Sequence, residues 1–184
     1  MDNKIKTISI FGATGSVGLS AKDVILSNPD SYEVDTLVAK TNVYELIRVA
    51  ILLKPKLVVI YDNKKYKILA NALKNYDIEV SSGENDIVCA SKRKVDIFVA
   101  AIMGYAGLFT TYSSIPFAKI IALANKETMV CAGNIIMNRA KSHGCKIIPI
   151  DSEHNTLFQI IDETEFNYVK KLIITASGGH IYRY

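Results

Sequence analysis

At 184 residues the chain is long enough for one sizeable hydrophobic core, or for one domain and the start of a second. Hydrophobic residues make up 49% and charged residues 22%, a globular composition that excludes an intrinsically disordered chain. The net charge of +4 is scattered, with no dense basic block and no interleaved aromatic and basic motif, so a small phosphorylated anion is a better partner than nucleic acid.

The apolar run Ile5–Phe11 predicts a first strand that begins almost at Met1, leaving no room for a signal or transit peptide. It leads into Gly12-Ala13-Thr14-Gly15-Ser16-Val17-Gly18 and then into helical periodicity over Val17–Ser27. The spacing G-x-x-G-x-x-G is a variant of the dinucleotide fingerprint, and it lies between first strand and first helix, as that fingerprint requires. Glycines there permit a tight turn and close approach of backbone to a pyrophosphate, which the helix N-terminus stabilises. A tight strand–helix turn without a ligand has the same appearance. The second strand, Tyr32–Ala39, runs into Lys40-Thr41-Asn42 with no carboxylate. NAD-preferring sites place an acid here for the ribose hydroxyls, whereas a lysine and two polar side chains can accept a 2′-phosphate. NADPH is therefore favoured over NADH, although an exposed loop lysine needs no ligand.

Further on, helical segments are expected at Val43–Leu53, Lys65–Lys74 and Thr128–Ser142, and strands at Lys56–Ile60, Asp77–Val80, Val95–Ala100, Lys119–Leu123 and Lys146–Ile150. The Lys- and Asn-rich stretch 63–75 reads as a solvated helix face. The strands are near-continuous apolar runs, which suits a parallel sheet covered on both faces. The fold class expected is therefore α/β, a doubly wound parallel Rossmann-type sheet over residues 1–150 with right-handed crossovers. Residues 151–184 would begin a second, α+β domain.

Two segments at the carboxyl ends of later strands carry chemistry. Leu123-Ala124-Asn125-Lys126-Glu127 supplies a lysine for an anionic oxygen and two polar side chains to orient ligands, though Asn-Lys-Glu is also an ordinary helix start. After Lys146–Ile150 comes Asp151-Ser152-Glu153-His154. In an extended backbone, residues two apart share a face, so Asp151 and Glu153 would aim two hard oxygen ligands at one point, suited to Mg²⁺ or Mn²⁺. The plainer alternative is an N-cap followed by an acid in the first helical turn. His154 receives no catalytic role. A last strand is expected at Tyr168–Thr175, ending in Ala176-Ser177-Gly178-Gly179. Cys89, Cys131 and Cys145 are odd in number, far apart and without metal-ligand spacing, which predicts reduced thiols. With no apolar run of membrane-spanning length, a cytoplasmic chain away from membranes is expected.

Taken together, Gly12–Gly18, the run Ala100–Leu108, Leu123–Glu127, Asp151–Gln159 and Thr175–Gly179 resemble, in that order, 1-deoxy-D-xylulose 5-phosphate reductoisomerase. The likeness extends over essentially the whole chain. It implies an NADPH- and divalent-metal-dependent oxidoreductase of isoprenoid precursor biosynthesis. Such an enzyme rearranges a phosphorylated ketose by carbon–carbon cleavage and rejoining, then reduces the aldehyde to 2-C-methyl-D-erythritol 4-phosphate.

Carried over by resemblance, Thr14, Gly15, Ser16 and Val17 would contact the NADPH phosphates, and Lys40, Thr41 and Asn42 the adenosine end. Asn125 and Glu127 would contact the cofactor. Lys126 would meet the substrate and, with Glu153, form the catalytic pair. Asp151 and Glu153 would hold Mg²⁺ or Mn²⁺, Ser152 and Glu153 would reach substrate, and Ser177 would bond its phosphate.

The chain departs from the family in two places. At the adenosine turn the family commonly has a glycine and a basic residue before the asparagine, whereas here Lys40 precedes Thr41. After Gly179 the family continues for roughly as many residues again, a domain-scale length, while this chain reads His180–Tyr184 and stops. The expectation is an N-terminal portion lacking the active-site loop, a third metal carboxylate and the helical C-terminal domain. It would be inactive alone and ill-suited to the family's homodimer. The alternative is a non-catalytic NADPH-binding remnant or one subunit of a split enzyme. A reductase of the aspartate-semialdehyde dehydrogenase type shares a similar glycine turn, but none of the cysteines has the sequence context of its nucleophile.

Overall fold

The computed structural model describes residues 5–161 and 169–173. Strands and helices alternate throughout. They run β1 (Lys6–Phe11), α1 (Ser16–Ser27), β2 (Tyr32–Ala39), α2 (Val43–Leu53), β3 (Leu57–Ile60), α3 (Tyr66–Leu73), β4 (Glu79–Ser82), α4 (Glu84–Ala90), β5 (Val95–Ala100), α5 (Ala106–Ser114), β6 (Ala118–Leu123), α6 (Lys126–His143), β7 (Lys146–Pro149) and α7 (Ser152–Ile160). A 3-10 turn at Asn63–Lys65 precedes α3. All paired strands are parallel, in the order β4-β3-β2-β1-β5-β6-β7. The doubly wound α/β expectation is met, and the order reverses between β1 and β5. That reversal leaves a crevice at the carboxyl edge, where ligands bind in folds of this kind.

Both faces of the sheet are apolar, which is why the strands lack a polar alternation. Successive residues of one strand enter different cores. Ile8, Ile10, Leu37, Val58 and Ile60 pack with Leu46 of α2 and Leu69 of α3 on one face. Phe11, Val38, Val59, Phe98 and Ile121 pack with Ile115 and with Ile136 of α6 on the other. Phe11 and Phe98, both almost wholly buried, meet with ring centroids 4.4 Å apart at the centre of the second core.

Charged clips fasten the amino edge, away from the crevice. Asp35 is the extra residue of a β-bulge, since Val34 pairs with Ile8 but Thr36 with Ser9. Its carboxylate accepts two hydrogen bonds from Arg93, at 2.6 and 2.8 Å, and one from Thr36 at 2.7 Å. Burial alone would raise the Asp35 carboxyl, but the Arg93 and Thr36 hydrogen bonds and the Arg93 charge outweigh it and hold it below the usual range. Asp96 accepts from the Thr7 backbone N–H at 2.9 Å and pairs with Lys119 at 2.6 Å.

Some boundaries differ from the sequence expectation. β4 begins at Glu79 rather than Asp77, because as an edge strand its limits follow the register of β3, with Leu57 opposite Glu79. α5 carries little apolar periodicity. Its buried face is built from Thr110, Thr111 and Ser114, whose hydroxyls donate to the carbonyls of Gly107 and Thr111. In the expected last strand, the described residues 169–173 are exposed and have no regular secondary structure. The remainder of Tyr168–Thr175 lies outside the described residues, as does Ser177.

Candidate functional site at the carboxyl edge

β1 ends in the glycine turn, which is pinned from below. The N–H groups of Gly12 and Ala13 both donate to the Val38 carbonyl, at 2.9 and 2.8 Å. Gly12 has φ +100°, and a Cβ there would lie 2.5 Å from the Ala101 carbonyl oxygen at the end of β5. Gly18 is buried in α1, where a Cβ would come within 2.7 Å of the Ala13 backbone. The outer glycines therefore bring helix, turn and neighbouring strand together. Gly15 is the N-cap of α1 and supplies no side-chain cap, and the first turn of α1 contains no acid. The first-turn N–H groups and the positive end of the helix dipole thus face the crevice without a competing carboxylate. Thr14 is half-buried, Gly15 and Ser16 are exposed, and Val17 is half-buried. This cradle fits a pyrophosphate.

Lys40, Thr41 and Asn42 lie exposed just beyond β2. Asn42 caps α2, its Oδ1 accepting from the Glu45 N–H at 3.2 Å. Lys40 has no salt-bridge partner among the described residues. The nearby carboxylate of Glu45 is forked onto Arg48, at 2.5 and 2.9 Å. The turn carries an uncommitted positive charge, which suits a phosphate.

Across the crevice, β6 delivers Asn125, Lys126 and Glu127 to the same edge, some two strand spacings or about 10 Å from β1. Lys126 and Glu127 are exposed in the first turn of α6. Asn125, expected to contact the cofactor, is held by hydrogen bonds to the neighbouring backbone. It is 2% exposed, its Nδ2 donates to the carbonyls of Ile102 at 2.7 Å and Gly104 at 2.8 Å, and its Oδ1 accepts from the Thr128 N–H at 3.1 Å. Two carbonyls facing Nδ2 and one N–H facing Oδ1 fix the amide orientation, and both donors are occupied.

β7 ends beside Asp151, at the far side of the same edge. Contrary to the sequence expectation, Asp151 and Glu153 do not both lie on extended backbone. α7 starts at Ser152, so only Asp151 is extended (φ −74°, ψ 149°), and Glu153 lies in the first helical turn. The carboxylates share one helix end rather than one strand face. Asp151 occupies the N-cap position but makes no side-chain cap bond; instead its Oδ2 lies 2.5 Å from His154 Nδ1. The Asp-x-x-His spacing across a helix start brings these two side chains together, a contact that sequence reasoning did not anticipate. Asn155 anchors the turn by donating to the Pro149 carbonyl at 2.7 Å. Ser152 and Glu153 are exposed. Among the described residues no group of three or more His, Cys, Asp or Glu is placed to hold a metal. Asp151 and Glu153 remain a pair of hard oxygen donors, which fits a Mg²⁺ or Mn²⁺ ion that keeps several waters. No helix among the described residues is long and apolar enough to cross a membrane.

Two family models match in succession: 1-deoxy-D-xylulose 5-phosphate reductoisomerase over residues 8–133, and the 1-deoxy-D-xylulose 5-phosphate reductoisomerase C-terminal domain over residues 147–184. A reductoisomerase of that name from Ehrlichia canis is 42% identical, with 95% of this chain and 46% of the relative covered. One from Zymomonas mobilis is 41% identical, with 95% and 45% covered. Among solved structures, the Zymomonas mobilis enzyme in complex with NADPH superposes with a TM-score of 0.87 at 38% identity, covering 93% of this chain and 45% of that one. A reductoisomerase in complex with NADPH, fosmidomycin and magnesium gives 0.81 at 34% identity, covering 88% and 40%. The chain thus spans less than half the length of these relatives. With the first model covering most of the chain, and the glycine turn, the Asn125–Glu127 helix start and the Asp151–Glu153 helix start on one sheet edge, the chain belongs to the 1-deoxy-D-xylulose 5-phosphate reductoisomerase family.

Proposed function

We propose that this chain is the NADPH-binding portion, with the beginning of the catalytic domain, of an enzyme that converts 1-deoxy-D-xylulose 5-phosphate to 2-C-methyl-D-erythritol 4-phosphate. The observation that carries the reading is convergence. An uncapped, acid-free helix N-terminus behind a glycine turn, an exposed lysine and a carboxylate pair all lie along one edge of a single parallel sheet. Residues 1–150 would form the cofactor domain and 151–184 the start of the catalytic domain. The succession of the two family models, meeting between residues 133 and 147, supports a boundary in this part of the chain. In this reading the complete enzyme is a cytoplasmic homodimer.

Each group has a task that its surroundings suit. The amides of Thr14, Gly15, Ser16 and Val17 would hold the cofactor pyrophosphate, and Lys40, Thr41 and Asn42 the 2′-phosphate and adenosine. Glu127 would orient the cofactor, and Lys126 would hold an anionic oxygen of the phosphorylated ketose. Asp151 and Glu153 would ligate Mg²⁺ or Mn²⁺, with His154 fixing the Asp151 carboxylate. Ser152, and Ser177 outside the described residues, would bind substrate. When bound, the metal supplies Lewis-acid polarisation of hydroxyl and carbonyl oxygens, and NADPH supplies hydride.

Positioning metal, phosphate and a closing element together lowers such a barrier by several kcal/mol, and two carboxylates with one lysine do not supply all of that. The expected outcome for a polypeptide of these 184 residues is cofactor binding without steady turnover. NADPH oxidation is followed with 1-deoxy-D-xylulose 5-phosphate and Mn²⁺, in material checked by mass for contaminating enzyme. Sustained turnover that Asp151→Ala abolishes would show that these residues suffice and that this division of labour is wrong.

A further inference from the structure

The amino edge of the sheet carries an open cleft that the cofactor crevice does not reach. It lies between the carboxyl ends of α1 and α2, beside the start of β2, and has a volume of about 350 Å³, at the small end of the range for small-molecule sites. Ile25 of α1 and Val34 of β2 line it as buried residues. Ile5, Leu26 and Leu52 line it as well, and these are 52%, 44% and 46% exposed. The apolar stripe of α2, wholly buried at Leu46, Val49 and Ala50, thus continues past the protein's own core at its carboxyl end. With 12 residues in α1, the cleft lies about 18 Å from the glycine turn.

One end of the cleft is positively charged. Lys54 closes α2 and lines the cleft with a left-handed backbone, φ 47° and ψ 57°. Among the described residues it is the one non-glycine with positive φ. Glycine is the unstrained residue at such a helix end, so this side chain is kept against a conformational cost. Its charge beside the last carbonyls of α2 recovers part of that cost. The Lys54 ammonium has no salt-bridge partner among the described residues, whereas Glu33, the other charged lining residue, is paired with Lys56 at 2.9 Å. The uncompensated charge at the cleft is therefore positive. Apolar walls ending at a single unpaired cation complement an alkyl chain that ends in one anionic group. We propose that this cleft binds an alkyl carboxylate, with the chain laid against Ile5, Leu26 and Leu52 and the carboxylate on Lys54. The site is separate from the cofactor crevice and does not depend on the NADPH reading.

Calorimetric titration of the chain with octanoate, octanol and octylammonium, in the presence and absence of NADPH, tests the site. Octanoate is expected to bind once per chain, more tightly than the other two, and equally well with NADPH present. Lys54→Gly suits the left-handed backbone, so it should raise the thermal midpoint while weakening octanoate about fivefold and leaving octanol unchanged. Leu52→Gln, on the exposed wall, should weaken octanoate and octanol alike. No saturable binding of octanoate to wild type, octylammonium binding as tight as octanoate, displacement by NADPH, or an unchanged octanoate affinity in Lys54→Gly would each overturn the site. Concentration-dependent dimerisation, followed by sedimentation and abolished by Leu52→Gln, would assign the cleft to a second copy of this chain and overturn it as well.

Discussion

Asp96 gathers its partners at the foot of β5, and its acid strength follows from them. The Lys119 ammonium, with further help from the Thr7 N–H, brings its carboxyl down from 3.8 to about 2. Because the folded-state value lies below the unfolded one, the stabilisation is complete above about pH 4 and is lost as pH falls through about 2. Lys119 is largely exposed, so screening reduces the contribution to on the order of 1 kcal/mol. Denaturant unfolding at pH 6 and at pH 2.5 should show Asp96→Asn flattening this part of the acid dependence; identical pH profiles would contradict the assignment. At the other edge, Asp151 and Glu153 alone should bind Mn²⁺ weakly, since water would fill most positions. Proton-relaxation titration should detect that weak binding and its loss in Asp151→Ala; retention in the variant would move the metal elsewhere. The two clusters were not equally visible in the sequence. Asp151 and Glu153 are two residues apart, whereas Thr7 and Asp96 are separated by 89 positions, and no local pattern joins them.

The elements that sequence reading found best are those with strong apolar burial, such as β2, where Val34, Leu37, Val38 and Ala39 are buried, and α2, with Val43, Leu46, Val49 and Ala50 on one face. The least legible is α5, whose buried positions are hydroxyl residues satisfied within the helix itself. The start of α7 was misjudged for a different reason. A strand followed by alternating acids looks extended until the helix is known to begin at Ser152, after which the same residues share a first turn. Between elements, the Asp35–Arg93 clip ties the bulged strand β2 to the α4–β5 connection. Removing the guanidinium would leave a buried carboxylate unpaired, so Arg93→Ala should destabilise by about 3 kcal/mol, and Arg93→Ala with Asp35→Asn by less. Denaturant midpoints decide this, and a loss under about 0.5 kcal/mol in the single variant would show that the clip contributes little.

At the scale of the molecule, alternation of strand and helix made the parallel sheet readable, and the glycine turn located its cofactor edge. Strand order was not readable, because nothing local in β5 announces that it returns beside β1. That return creates the crevice and sets the glycine turn and the Asn125–Glu127 helix start on its two sides. The carboxyl edge is thereby free for ligands, while the charge pairs at Asp35 and Asp96 hold the amino edge. The central claim is that this edge is built for a 2′-phosphorylated dinucleotide, and calorimetric titration of the chain with NADPH and with NADH tests it most directly. The account predicts tighter binding of NADPH, with the difference lost in Lys40→Ala. Equal affinity for the two cofactors, or a preference for NADH, would contradict it.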